Sequence, residues 1–160
     1  MPSFSESGTR RLETQIKASE GLRLEAYHCA AGALTIGYGH NCDASPVPGV
    51  TRAGDRITLD QAEALFSKDL AHAVRRVREE LPWVPDLDPA RQAVLYDMAF
   101  NMGIGHPGVS GLLSFQNTLH LIRSGDCAEA SRNMLVSRWA KQVGFRAVKL
   151  SRQMETGEWQ

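Results

Sequence analysis

Residues 17–40 read Lys17-Ala-Ser-Glu20-Gly21-Leu-Arg-Leu-Glu-Ala-Tyr27-His28-Cys29-Ala-Ala-Gly32-Ala-Leu-Thr35-Ile-Gly37-Tyr38-Gly39-His40, and this stretch sets the organisation of the chain on either side. Upstream, Leu12 and Ile16 stand four apart in a helix expected over residues 9–19, which the Glu20-Gly21 step ends. Downstream, seven glycines and prolines fall between Gly32 and Gly54. Short β-favouring pieces lie at 22–27, 33–36 and 56–57, the texture of a small antiparallel sheet with loops. Thr58-Leu-Asp-Gln61 then fits a capping box. Apolar residues at 59, 62, 66, 70, 73, 77 and 81 follow at the period of one helix face, predicting a helix over 59–80 about 33 Å long.

Beyond it, Asp88-Pro89 opens a helix over 90–102 that Gly103 closes. Further helical patterns run over 112–123, 127–141 and 146–154. The expected fold class is therefore α+β in a single domain, 1–160. A small antiparallel-sheet lobe of about 20–58 is joined by the long helix, 59–80, to an all-helical lobe of about 81–160 that also takes the helix 9–19.

The 160 residues weigh 17.6 kDa with 42% apolar and 22% charged residues, the profile of one compact unit or two small lobes sharing a core. Lys plus Arg and Asp plus Glu number 18 each, so no net charge draws the molecule to nucleic acid. Residues 131–154 carry six cations and no acid, which reads equally as a face for an anionic polymer or as a solvated helix surface. No window reaches the ~18 apolar residues of a membrane span, and residues 1–10 lack the apolar centre of a signal, so a cytosolic protein without stable membrane insertion is expected. Cys29, Cys42 and Cys127 are too few for a disulfide framework and read as free thiols.

The chemistry concentrates in the opening stretch. Glu20, where a helix ends and a glycine turn begins, can point its carboxyl into a cleft between lobes as a general acid. Further on, Thr35 opens Thr-Ile-Gly37-Tyr-Gly39-His40, whose close-set glycines permit a tight backbone turn. Two other patterns carry nothing: Gly103-Ile-Gly-His-Pro-Gly108 follows a helix and holds a proline where a phosphate loop needs a strand and free amides. His28, Cys29, His40 and Cys42 lie too close together for the usual zinc spacings. No metal or cofactor is expected. Tyr27 and Tyr38 read as packing before cleft walls, and Trp139 and Trp159 as core anchors.

Glu20, eight residues, Cys29, five residues, Thr35, then Ile-Gly-Tyr-Gly-His40, resembles the phage-type (T4-like) lysozyme family, in which Asp or Cys is accepted at the second position. Phe100-Asn-Met-Gly103, Ser137-Arg-Trp139, Arg146-Ala147 and Thr156-Gly-Glu-Trp159 resemble further family elements. The resemblance implies a lysozyme-like fold and an endolysin that cleaves the β-1,4 bond between N-acetylmuramic acid and N-acetylglucosamine in bacterial peptidoglycan. It implies Glu20, Cys29 and Thr35 as the catalytic set, Phe100, Thr118 and Asn133 as saccharide-binding positions, Arg146 against the acidic Glu, and His40 paired with a carboxylate to tie the small lobe. It further implies a monomer that reaches the wall after holin-type membrane permeabilisation.

Cys29 must then serve where the family usually has a carboxylate. A thiol of pKa ~8.5 is mostly protonated at neutral pH unless cationic neighbours such as His28 lower it. Two other readings stay open: a cysteine-dependent peptidoglycan amidase or peptidase using Cys29 with His40 or His28, and a glycan-binding module without turnover.

Overall fold

A computed structural model describes residues 4–160, so residues 1–3 of the N-terminal stretch read for a signal lie outside the described residues. The described residues hold α1 (Glu6–Glu20), β1 (Arg23–His28), β2 (Leu34–Gly37), β3 (His40–Asn41), α2 (Leu59–Glu80), α3 (Pro89–Met102), α4 (Gln116–Arg123), α5 (Cys127–Leu135), α6 (Arg138–Val143) and α7 (Phe145–Thr156). The class is α+β, as expected: a small antiparallel sheet within a chain that is otherwise helical. None of the described helices is long and apolar enough to cross a membrane. The described residues divide into two compact units, residues 13–72 and residues 4–12 with 73–160, and the divisions fall inside α1 and α2.

In the unit 13–72 the strands lie in the order β1-β2-β3. Tyr27 pairs with Thr35 and His28 with Leu34, and on the other edge Thr35 pairs with Asn41 and Ile36 with His40. As the central strand, β2 is buried along its whole length. Leu34 and Ile36 join Ala26, Val47, Val50, Ile57 and Ala62 in a compact apolar core. The expected strand at 56–57 is a single bridge, Arg56 to Glu25, sealed by a 3.0 Å ion pair between the same residues. The third strand is instead the two-residue β3, too short for any alternation to be read from sequence.

The capping box at the start of α2 forms in full. Thr58 N–H donates to Gln61 Oε1 (2.8 Å) and Gln61 N–H donates to Thr58 Oγ1 (3.1 Å). Of the seven apolar positions that predicted this helix, six are buried, whereas Leu59 in its first turn is 50% exposed.

In the helical unit, α3 is buried on nearly every side from Gln92 through Ala99, a mainly apolar stretch with Gln92 and Asp97 as its buried polar members. Asp88 caps it by accepting from Arg91 N–H, with Pro89 at the first helical position. α5 packs on α4 and α7, and α7 on α3 and α6. The helix expected over 127–141 is two helices, because Ser137 ends α5 and starts α6: its hydroxyl donates to Met134 O (2.7 Å) and accepts from Ala140 N–H (3.1 Å). The pattern over 112–123 is likewise divided, a 3₁₀ turn at Leu112–Ser114 preceding α4. Trp139 is buried as expected and donates its indole N–H to Asn101 Oδ1 (2.8 Å). Trp159 lies beyond the end of α7 and is only half-buried, under the Arg11 guanidinium, so it is not a core anchor.

Candidate active site

Glu20 is the last residue of α1, and Gly21, with φ +69°, turns the chain out of the helix while its N–H donates to Lys17 O (2.9 Å). The half-buried Glu20 lays its carboxyl against the backbone of Gly39, in the turn between β2 and β3. One turn earlier on α1, Lys17 pairs with Glu63 of α2 (2.6 Å), and Tyr38 donates its hydroxyl to the same carboxylate (2.8 Å). The Tyr38 ring stands edge-on to Phe66. Tyr38 is therefore a packing residue whose hydrogen bond to Glu63 pushes its phenol up.

Cys29 follows β1 directly. Its N–H donates to Ala33 O (3.0 Å) and its carbonyl accepts from Gly32 N–H (2.8 Å), so residues 29–33 close on themselves as the hairpin turn. This closure turns backbone N–H groups onto the thiol. The Ala33 and Ala31 amides, then the Thr35 hydroxyl and the Gly32 amide, hold the Cys29 thiol below its ordinary pKa, and partial burial opposes them. The expected cationic help from His28 is not the cause: the ring of His28 is exposed and its Nδ1 lies 3.2 Å from Gly32 O. Amides do here what a cation was expected to do.

Thr35, on β2, is 5% exposed, and its hydroxyl donates to Ala33 O (2.9 Å). One hydroxyl proton cannot serve two acceptors at once. With Cys29 protonated, Thr35 Oγ1 can accept from the thiol while donating to Ala33 O. With Cys29 ionised, the hydroxyl turns to donate to sulfur. The structure thus joins Cys29 and Thr35 as a hydrogen-bonded pair on the β1–β2 hairpin, and the turn after β2 carries Gly39, against which Glu20 lies.

His40 is buried on β3, with Nδ1 2.7 Å from Asp69 Oδ2 and Nε2 2.8 Å from Ser45 O. The Asp69 carboxylate, with smaller help from the Ser45 carbonyl, raises the His40 pKa against the effect of burial. Both ring nitrogens are engaged, so His40 ties β3 to α2. Among the described residues no three His, Cys, Asp or Glu side chains gather as a metal site would require.

The other residues that the resemblance nominated lie in the helical unit. Phe100 is on α3, Thr118 is buried on α4 and Asn133 is half-buried on α5. Arg146, on α7, donates from Nε to Asp97 Oδ1 (2.9 Å), and its Nη2 lies 2.7 Å from the same oxygen. Asp97, in the middle of α3, is 0% exposed and is a residue the sequence reading missed. The available signal was an acid inside the otherwise apolar run from Ala93 to Ala99, since a carboxylate there has to be paired. The same unit holds a cavity of about 450 Å³ lined by Met102, Phe115, Arg138, Trp139 and Gln142 with small residues.

A small antiparallel sheet within an otherwise helical chain is a lysozyme-like α+β fold, and membership of the family that the chain matches implies glycoside hydrolase activity. The chain belongs to the phage lysozyme family, which it matches over residues 17–155. It is similar to probable T4-type lysozyme 1 of Dictyostelium discoideum, 30% identical over 91% of this chain and 94% of that protein. It is also similar to an endolysin of Acyrthosiphon pisum secondary endosymbiont phage 1, 34% identical over 79% and 75%. A third relative, the pre-baseplate central spike protein Gp5 of Enterobacteria phage T4, is 29% identical over 89% of this chain but only 27% of its own length.

Proposed function

We propose that the protein is an endolysin that hydrolyses the β-1,4 bond between N-acetylmuramic acid and N-acetylglucosamine in peptidoglycan. Glu20 gives its proton to the leaving glycosidic oxygen as the bond to the anomeric carbon breaks. A water held by Thr35 and the Cys29 thiolate adds to that carbon from the opposite face and loses its proton to sulfur, inverting the anomer. Phe100, Thr118 and Asn133 contact the saccharide. The observation that carries this reading is the Cys29–Thr35 pair, an ionisable group and a hydroxyl held together on one hairpin with amides that favour the charged form.

The amidase reading needs an imidazole free to activate Cys29. His40 has both ring nitrogens committed, to Asp69 and Ser45, which removes one candidate base. Purified peptidoglycan separates the readings: new reducing ends are expected, new free amines alone would favour the amidase, and wall binding without either product would favour a non-catalytic module. Glu20→Gln should lower release of reducing ends roughly 10²-fold or more while leaving the fold intact, and retained turnover would remove Glu20 as the acid.

In the cell the protein would act as a monomer, waiting in the host cytoplasm until a holin-type protein permeabilises the inner membrane. Expression alone should leave a culture intact and permeabilisation should lyse it. Lysis on expression alone would contradict this route.

A further inference from the structure

Gly39 has φ +72°, and a Cβ placed on it would lie 2.5 Å from Glu20 Oε2 and 3.2 Å from Glu20 Cδ. Ordinary contacts between nonbonded heavy atoms begin about 1 Å further out. The glycine therefore does two things at once: it adopts a left-handed backbone conformation, and it leaves room for a carboxyl against its Cα. Gly37, two residues earlier, separates these demands. Its φ is +69°, yet a Cβ there would meet only Ala62 and Ile57, at 3.8 Å or more. The two positions share the same backbone requirement, and only Gly39 touches the carboxyl.

We infer that Gly39 is a positioning residue for the general acid: its bare Cα is the wall against which the Glu20 carboxyl is seated, and any side chain there displaces the acid. The inference rests on the assignment of Glu20 as that acid. What gives way to an added methyl follows from the geometry. The Cα of Glu20 is held at the end of α1, whereas the atom met is the far end of a flexible side chain, so the carboxyl moves and the fold stays. Proton transfer requires the acid within about 2.6–3.2 Å of the leaving oxygen, and a displacement of about 1 Å costs on the order of 10²-fold in rate. Saccharide contacts made by other residues are untouched, so the loss falls on kcat and not on KM.

The test compares Gly39→Ala with Gly37→Ala, alongside Glu20→Gln, on purified peptidoglycan, with folding followed by circular dichroism. Gly39→Ala is expected to be folded, with kcat lowered roughly 100-fold and KM within about threefold of the parent. Gly37→Ala is expected to keep kcat within a few-fold. A Gly39→Ala enzyme with near-parental kcat beside an inactive Glu20→Gln overturns the inference and leaves the acid assignment standing. Active Glu20→Gln overturns the assignment itself. Equal losses in both glycine variants also overturn the inference, because backbone strain alone would then account for them. Should Gly39→Ala fail to fold, the same substitution in a Glu20→Ala background, which lacks the carboxyl, is expected to fold, and a double variant that still fails to fold overturns the inference.

Discussion

At the scale of single residues, Cys29 owes its character to the turn it begins and not to its neighbours' charges. Backbone amides of residues 31–33 and the Thr35 hydroxyl favour the thiolate, so the pH dependence of Cys29 alkylation should have its midpoint below the ~8.5 of a free thiol. A midpoint at or above that value would contradict the amide cradle. Since an Asp of pKa ~3.9 is fully ionised at neutral pH, Cys29→Asp should keep or raise turnover there. Cys29→Ala should lose most activity, and alkylating reagents should inhibit the parent but not the Asp variant. Undiminished activity in Cys29→Ala would reduce the thiol to a spectator. The space at Gly39 belongs to this scale too, because one hydrogen in place of a methyl leaves room for the Glu20 carboxyl.

Between elements, two ion pairs tie strands and helices together and predict measurable stability changes. His40 on β3 has its pKa raised by Asp69 on α2, so the folded state holds the proton more tightly than the unfolded chain. The resulting stabilisation is fully present below the unfolded value of about 6.5 and is lost as pH rises through the higher folded value. Relative to His40→Asn, the parent should melt higher at pH 5.5 by the equivalent of about 1.5–3 kcal/mol, and the advantage should shrink toward pH 9. A pH-independent difference would show that the proton plays no part. Asp97 on α3 and Arg146 on α7 form a pair that is 0% and 9% exposed. Asp97→Ala leaves the largely buried guanidinium without this carboxylate and should cost about 3 kcal/mol, lowering the thermal midpoint by roughly 6–12 °C. Loss of less than about 1 kcal/mol would mean that the pair contributes little.

For the whole molecule, the two units differ in the apolar surface each can bury. The unit 13–72 fully buries a few large side chains, Ile16, Ile36 and Phe66, beside small ones such as Ala26 and Ala62, while the helical unit buries Leu95, Tyr96, Met98, Leu112, Ile122, Met134, Leu150 and Met154. Native-state hydrogen exchange should therefore find amides of β1 and β3 opening at lower free energy than those of α3 and α7, and the reverse order would contradict this account. How much of the protein could be read beforehand follows from how local each feature is. The end of α1 at Gly21, the capping box of α2 and the spacing of Glu20, Cys29 and Thr35 lie within a few turns of chain, where residue type and period act directly, and each was legible. The break of the helix at Ser137 was local too, but an apolar pattern continuing through Leu135 and Val136 hid the cap. What no pattern carried was the seating of the Glu20 carboxyl on Gly39, the closure of the amides on Cys29 and the joining of Asp97 to Arg146, 49 residues apart. The sequence by itself determined which elements form and which side chains each of them bears, because caps, turns and helix faces are governed by near neighbours. Only the tertiary structure decided which side of a turn an amide faces and which distant charge a buried group meets, because those depend on how packed elements bring remote atoms within bonding distance.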